Sequence, residues 1–253
     1  MSASSTIITY HGVGSATPED DPHELLVPEE TFEAQMAFLA KHRKVVPLED
    51  LVRGRGRGSK PTVAITFDDA YRSILEIASP VLLKYGLPST LFVPTRWLGE
   101  RNGWIDFPAN LLEIMDPEEI REVDRRGIAV ESHGHAHINY ETSQPEAIEA
   151  DALMSIERLS DIVGRAPRYL AYPFGPTSDA AMNIVERLGF EAAFTIERPH
   201  QGLFAFERAW IRPRHGLRVF SLKTSGYWSA SWRWSKLGRA GAAVIRPLID
   251  RSR

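Results

Sequence analysis

The sequence predicts an α/β fold, a parallel sheet closed into a β/α barrel, and three observations predict it. Short runs rich in β-branched and aromatic residues alternate with longer segments of helical period, as crossover connections between parallel strands require. The 253 residues fall in the range that α/β barrels occupy as one domain. Polar clusters follow directly on four of the predicted strands, at ends that a parallel sheet brings to one face.

In chain order, a first strand is expected at 7–10, followed by a helix over 29–42 that carries Phe32, Met36 and Leu39 at helical spacing. The stretch RGRGRGSK at 53–60 reads as a solvated basic loop, with contact to an anionic partner as the alternative. A strand at 63–67 leads to a helical run over 73–85, which Gly86 ends before the next strand at 90–93. After a strand at 129–132, residues 144–163 form the clearest helix, with Ile148, Ala152, Ile156, Leu159 and Val163 in one apolar stripe. Ser143 and Glu146 are spaced as a capping box for it, and Gly164 is its natural stop. A strand at 168–171, a helix over 179–188 closed by Gly189 and a strand at 192–195 complete the pattern. No internal repeat or second domain is visible, so the barrel is assigned to residues 1–226 and a tail to 227–253.

Composition excludes several classes. A formal charge of −3 is wrong for a general nucleic-acid binder, which needs a basic excess to neutralise phosphates. With no cysteine, disulfides and thiolate metal sites are excluded, so any metal must be held by His, Asp or Glu. The opening MSASSTIITYHG lacks the basic and apolar regions of a secretory signal, which makes a cytoplasmic location the expectation. The tail carries Trp228, Trp232 and Trp234 with six Arg or Lys residues against one acid. That mixture suits peripheral contact with a membrane surface or a partner surface, and equally a terminal helix packed on the barrel with its basic face outward.

The chemistry lies at the strand ends. His11 follows IITY, Asp68 and Asp69 follow VAITF, His133, His135 and His137 follow IAVES, and Tyr172, Pro173, Phe174 and Gly175 follow RYLA. His133 and His137, four residues apart, can aim two imidazoles at one ion, and with a carboxylate they make a two-histidine, one-carboxylate site open to water and substrate. Ligation by histidines two apart in an extended segment would serve as well, which leaves the role of His135 open. The adjacent acids project differently from the backbone, so one can hold a metal while the other accepts a proton from water. Two acids after a strand would also suit the N-terminus of the helix over 73–85. For His11, the alternative to catalysis is a polar cap on its strand.

These residues match a known family. TFDDA at 66–70, SHGHAH at 132–137 and AYPFG at 171–175 resemble the first three motifs of the polysaccharide deacetylases (carbohydrate esterase family 4, NodB homology), over roughly residues 6–215. The resemblance implies a distorted (β/α)7 barrel in a single domain, a carbohydrate substrate, removal of acetyl groups and a divalent metal, with zinc the default and cobalt, nickel or iron accepted by the same ligands. It implies Asp68 as catalytic base, Asp69, His133 and His137 as metal ligands, a Phe174 backbone N–H for the oxyanion, Pro173 and the aromatic ring of Phe174 shaping the groove, and Tyr172 with them at the substrate. Two departures stand out. Ala171 occupies the place where many members have the arginine that partners the base, leaving Arg168, Arg212 and Arg214 as replacements. The late leucine-x-histidine motif that supplies the acid is absent after residue 200. The opening ITYHGVG instead resembles the biofilm exopolysaccharide deacetylases, whose barrel is circularly permuted so that the acid histidine comes first; His11 then takes that role, with His215 in reserve. Two other functions are carried alongside: hydrolysis of a non-sugar amide or cyclic imide, and non-catalytic glycan binding on a decayed barrel.

Overall fold

The alternation of side chains along a strand decides which residues reach the axis of this barrel. The computed structural model describes residues 5–55, 60–105, 112–196 and 202–226. In order, the elements are β1 (Ser5–Tyr10), β2 (Gly12–Val13), β3 (Leu26–Val27), α1 (Glu29–His42), β4 (Lys44–Val45), α2 (Leu48–Val52) and β5 (Thr62–Phe67). A π-helical turn at Ile74–Ala78 runs into α3 (Ser79–Tyr85), followed by β6 (Ser89–Val93), a 3₁₀ turn at Thr95–Trp97, α4 (Pro117–Arg125) and β7 (Ile128–Ser132). Then come α5 (Pro145–Val163), β8 (Tyr169–Ala171), α6 (Asp179–Arg187), β9 (Ala192–Ile196), β10 (Phe206–Trp210) and α7 (Leu217–Lys223).

Seven parallel strands close the ring in the order β1, β10, β9, β8, β7, β6, β5, and β1 pairs back onto β5 along its whole length, from Ser5 opposite Thr62 to Tyr10 opposite Phe67. The short β4 lies outside the ring, against the start of β5. The expected (β/α)7 barrel in a single domain is therefore present. β10 is the strand of the ring that sequence reading missed, because FERAW puts Glu207 and Arg208 in the middle of a five-residue run. It is nonetheless central, bonded to β1 on one side and β9 on the other.

The barrel has a layered interior. Ile7, Ala64, Phe92, Tyr169, Ala171, Ala192, Phe194 and Phe206 form a buried apolar floor. The rings of Phe92, Phe194 and Phe206 sit 5.6 Å apart in sequence across it, each burial contributing about 1.5–3 kcal/mol. The intervening residues Ile8, Tyr10, Val63, Ile65 and Phe67 face outward against Phe32, Met36 and Leu39 of α1 and Phe220 of α7. Two residues beyond the floor along three strands lie Thr9, Thr66 and Arg208, and two further lie His11, Asp68 and Trp210. One period-2 rule thus carries each chain from core to catalytic mouth.

Gly86 and Gly164 end α3 and α5 in the left-handed conformation, at φ 61° and 73°, as their positions suggested. The capping box expected from Ser143 and Glu146 does not form. Gln144 is the residue before α5, without a side-chain cap, and Pro145 opens the helix, its missing N–H costing nothing there. The capping box among the described helices is at α4, where Asp116 accepts from the Glu119 N–H and Glu119 accepts from the Asp116 N–H. Of the basic loop, Arg53 pairs with Glu49 at 2.6 Å, while residues 56–59 lie outside the described residues. The tryptophan-bearing tail lies outside them too. Among the described residues no helix is long and apolar enough to cross a membrane.

Candidate active site

Strand register brings four polar clusters to one mouth. Tyr10 and Phe67 are paired, so His11 and Asp68 emerge side by side, and the Asp68 N–H donates to the Tyr10 carbonyl at 2.9 Å. The His133 N–H continues the ladder to Val93 at 3.0 Å, and the Tyr172 N–H does so to Phe194 at 3.0 Å. Beyond each ladder the backbone bends sharply. The described non-glycine residues with positive φ are Glu24, Asp69, Ala70, His137 and Phe174, all at this end, and strain of this kind persists where surrounding structure enforces it. His133 and His137 converge through such a turn, with Gly134 at φ 73° and His137 at φ 58°, and not across the face of a helix.

The cavity that results, about 510 Å³, is lined by His11, Asp68, Asp69, His133, His137 and Phe174 together with the apolar wall of Leu25, Trp104, Ile105, Ile196 and Trp210 and with His23 at the lip. Asp69 Oδ1 lies 3.4 Å from His133 Nε2 and 3.3 Å from His137 Nε2, all three residues being buried. Two donors each about 2.1 Å from a tetrahedral ion are about 3.4 Å apart, so these separations suit a shared cation better than they suit hydrogen bonds. Asp69 Oδ1 also has no hydrogen-bond partner although it is buried, an orphaned acceptor of the kind a cation satisfies. His133 Nδ1 donates to the Ala171 carbonyl at 2.8 Å, and because a carbonyl can only accept, Nε2 is left with its lone pair facing Asp69. The residues present fit a divalent metal.

The base has a partner that sequence reading did not find. Arg208, wholly buried in β10, grips Asp68 in a two-pronged ion pair, Nη1 to Oδ1 at 2.6 Å and Nη2 to Oδ2 at 2.8 Å. Its remaining donors reach Thr9 Oγ1, Thr66 Oγ1 and the Thr195 carbonyl, and its guanidinium lies over the Phe92 ring. None of the three arginines expected to substitute does so. Arg168 pairs with Glu49 and Glu191, and Arg212 and Arg214 both pair with Glu24. Burial alone would raise the Asp68 pKa, but the Arg208 charge outweighs it and holds the carboxyl below its ordinary value. Asp69, also raised by burial, is brought well below its ordinary value by the imidazoles of His133 and His137 that face it.

Of the other expected residues, His11 lies at the mouth with its ring 5.0 Å from that of Trp210 and its pKa lowered by burial, against the opposing pull of Asp69 and Asp68. Phe174 folds over the site at φ 63°, its ring 4.6 Å from that of His137. Tyr172 does not line the cavity. It is buried against Tyr140 with its hydroxyl donating to the Phe204 carbonyl, since residues alternate along the strand and its neighbour Ala171 faces the barrel interior. Pro173 is buried in the turn and also off the cavity wall. His135 is turned away toward Thr95, 2.9 Å from Nδ1 to the hydroxyl. His215 accepts from the Arg212 N–H, and burial pushes its pKa down to about 2, which unsuits it as a reserve acid.

One further acid holds the histidine turn in place. Asp151 on α5 accepts from the His135 N–H at 2.8 Å, the Ala136 N–H at 2.6 Å and the Tyr140 hydroxyl at 2.8 Å. Asp151→Ala strands three donors, each costing about 1–3 kcal/mol, and is expected to lower stability by roughly 3 kcal/mol or more in urea denaturation. A loss below about 1 kcal/mol would mean that water replaces the carboxylate and that the turn holds itself.

Fold and site together define a class: a parallel β/α barrel with two carboxylates and two histidines converging at the C-terminal ends of its strands. Residues 55–193, more than half of the 253-residue chain, match the polysaccharide deacetylase domain, and the chain belongs to that family, whose members are hydrolases acting on carbon–nitrogen bonds. It is 26% identical over 215 residues to YxkH of Bacillus subtilis, covering 82% of this chain and 71% of that one. It is 27% identical over 183 residues to the poly-beta-1,6-N-acetyl-D-glucosamine N-deacetylase of Staphylococcus aureus, 68% of this chain, and spans 61% of that enzyme's length. The fold is similar to that of the Streptococcus pyogenes deacetylase PplD, with a TM-score of 0.73 at 21% identity over 87% of this chain and 97% of PplD. It is similar also to IcaB from Ammonifex degensii, with a TM-score of 0.72 at 19% identity over 88% and 96% of the two chains.

Proposed function

We propose that the chain is a metal-dependent N-deacetylase acting on an N-acetylated hexosamine glycan or its precursor. The observation that carries this reading is the juxtaposition, in one cavity, of the Asp69–His133–His137 group with an ionised Asp68 clamped by Arg208. The resemblance of the chain to poly-N-acetylglucosamine deacetylases supports the choice of an N-acetyl sugar.

A divalent cation held by Asp69, His133 and His137, with zinc the first candidate, would polarise the acetyl carbonyl and acidify a water. Asp68, kept ionised by Arg208, takes the proton of the attacking water. The Phe174 N–H, on a turn fixed by the Gly175 N–H to Tyr172 carbonyl bond at 3.0 Å, steadies the oxyanion in this reading. His11 gives its proton to the departing nitrogen as the carbon–nitrogen bond breaks, leaving acetate and a free amine. Because burial lowers its pKa, protonated His11 is a stronger acid than free imidazole, which favours that transfer. The apolar wall of Trp104, Ile105 and Trp210 gives the sugar faces on which to pack and keeps bulk solvent from the site around the one attacking water.

The test is acetate release from N-acetylglucosamine oligomers by the zinc-reconstituted chain. Release is expected, abolished by chelation and restored by added zinc. His11→Ala is expected to reduce it about 10²-fold or more, the value of a positioned acid. No release with zinc bound would refute the glycan reading and turn attention to small amides and cyclic imides.

A further inference from the structure

We infer that Trp104 is a positioning residue for His137, and that its indole does for this imidazole what a hydrogen bond does for His133. The inference rests on the metal site proposed above.

The two histidines are held by unlike means. His133 is fixed by its Nδ1–H bond to the Ala171 carbonyl. His137 Nδ1 is buried and has no hydrogen-bond partner, although a ligating imidazole ordinarily uses that nitrogen to set its ring orientation and tautomer. Rings confine it instead. Trp104 stacks on His137 with centroids 4.2 Å apart and planes 21° from parallel, and Phe174 meets it edge-on at 4.6 Å and 70°. A near-parallel indole leaves the imidazole free to slide in its own plane but blocks tilting. Tilting is the motion that would swing Nε2 away from Asp69.

Trp104 is itself braced. Its ring meets that of Trp97 at 5.5 Å and 71°, and Trp97 Nε1 donates to the carbonyl of Ala136, the residue before His137. Residue 103, between the two tryptophans, is glycine, and a Cβ there would fall 2.3 Å from the Trp97 ring and displace it. Trp97, Ala136, His137 and Trp104 thus form a closed circuit: one tryptophan fixes the backbone beside the ligand and the other fixes its ring. Trp104 also faces the cavity, so the surface that orients the ligand is one that a bound sugar would press upon.

The experiment uses the full metal-free chain, zinc as the probe, and the variants Trp104→Leu and Trp104→Phe. Calorimetric titration is expected to show zinc binding weakened 10-fold or more in the Leu variant, the usual loss when a ligand's support is removed, and within about threefold of normal in the Phe variant, which keeps a stacking ring. Zinc should also change the tryptophan emission of the unaltered chain, and that change should be smaller in Trp104→Phe although calorimetry still records binding. A Leu variant that binds zinc as tightly as the unaltered chain would overturn the inference, as would a Phe variant that binds it as weakly as Leu. If Leu fails to fold, Trp104→Met takes its place in the titration, with the same expected and overturning outcomes. Absence of zinc binding by the unaltered chain is a separate result, which would remove the metal site and this inference with it.

Discussion

Asp68→Asn is expected to lower the rate of acetate release about 10³-fold while zinc binding stays within a few-fold of normal. The carboxamide keeps the shape of the carboxylate but cannot take a proton from water, and a positioned general base is worth about 10²–10⁴-fold. The geometry separates this from a metal effect, because it is Asp69 and not Asp68 that stands 3.3–3.4 Å from the two histidine nitrogens. The variant also leaves the fully buried Arg208 with a neutral partner, so the chain will be less stable. The assay is therefore run well below the variant's melting temperature, with single-turnover rates at saturating substrate. Retention of more than about a tenth of the rate would place the base elsewhere.

Much of this site was legible because strand ends announce themselves in sequence. IITY, VAITF and IAVES are each followed at once by a polar residue where the strand leaves the core, and the structure brings those three ends together. The closure of the ring was less visible. β10 reads FERAW, and a run with adjacent opposite charges at its centre carries no apolar alternation strong enough to mark a strand. Arg208 was missed for the same reason, and because 140 residues separate it from Asp68. A signal did exist: Phe206, Arg208 and Trp210 share a parity, and an arginine between two inward aromatics must find a buried anion. Tyr172 was misplaced by the opposite error, since membership in a short motif says nothing about which face of the turn a residue takes. The turn that joins His133 to His137 depends on positive φ at a non-glycine residue, and residue identity does not reveal that strain.

Arg208→Met is expected to have the other large effect, on stability and on pH dependence together. Both members of the pair are fully buried, and removing one leaves an uncompensated charge, a loss of about 3–5 kcal/mol. In a chain of this size that corresponds to a melting temperature lower by roughly 10 °C. The sign with pH follows from the direction of the Asp68 shift. In the native chain its folded pKa is lowered, so the pair stabilises above the unfolded carboxyl pKa and that contribution is lost as pH falls through the folded value. Without Arg208, burial dominates and the folded pKa lies above the unfolded one, so the variant is penalised at neutral pH and relieved on acidification. The stability gap between the two proteins should therefore narrow steadily from pH 8 to pH 5 in urea denaturation. The acidic limb of kcat/KM should move to higher pH in the variant, because Asp68 must be ionised to act as base. A methionine that merely loosened packing would lower stability equally at every pH and leave that limb in place. The double variant Asp68→Asn with Arg208→Met completes the argument: with no charge left to strand, it should be more stable than Arg208→Met alone at pH 8 while remaining inactive. That outcome would assign the arginine to holding the base ionised, and a double variant no more stable than the single would assign it to packing of the barrel floor.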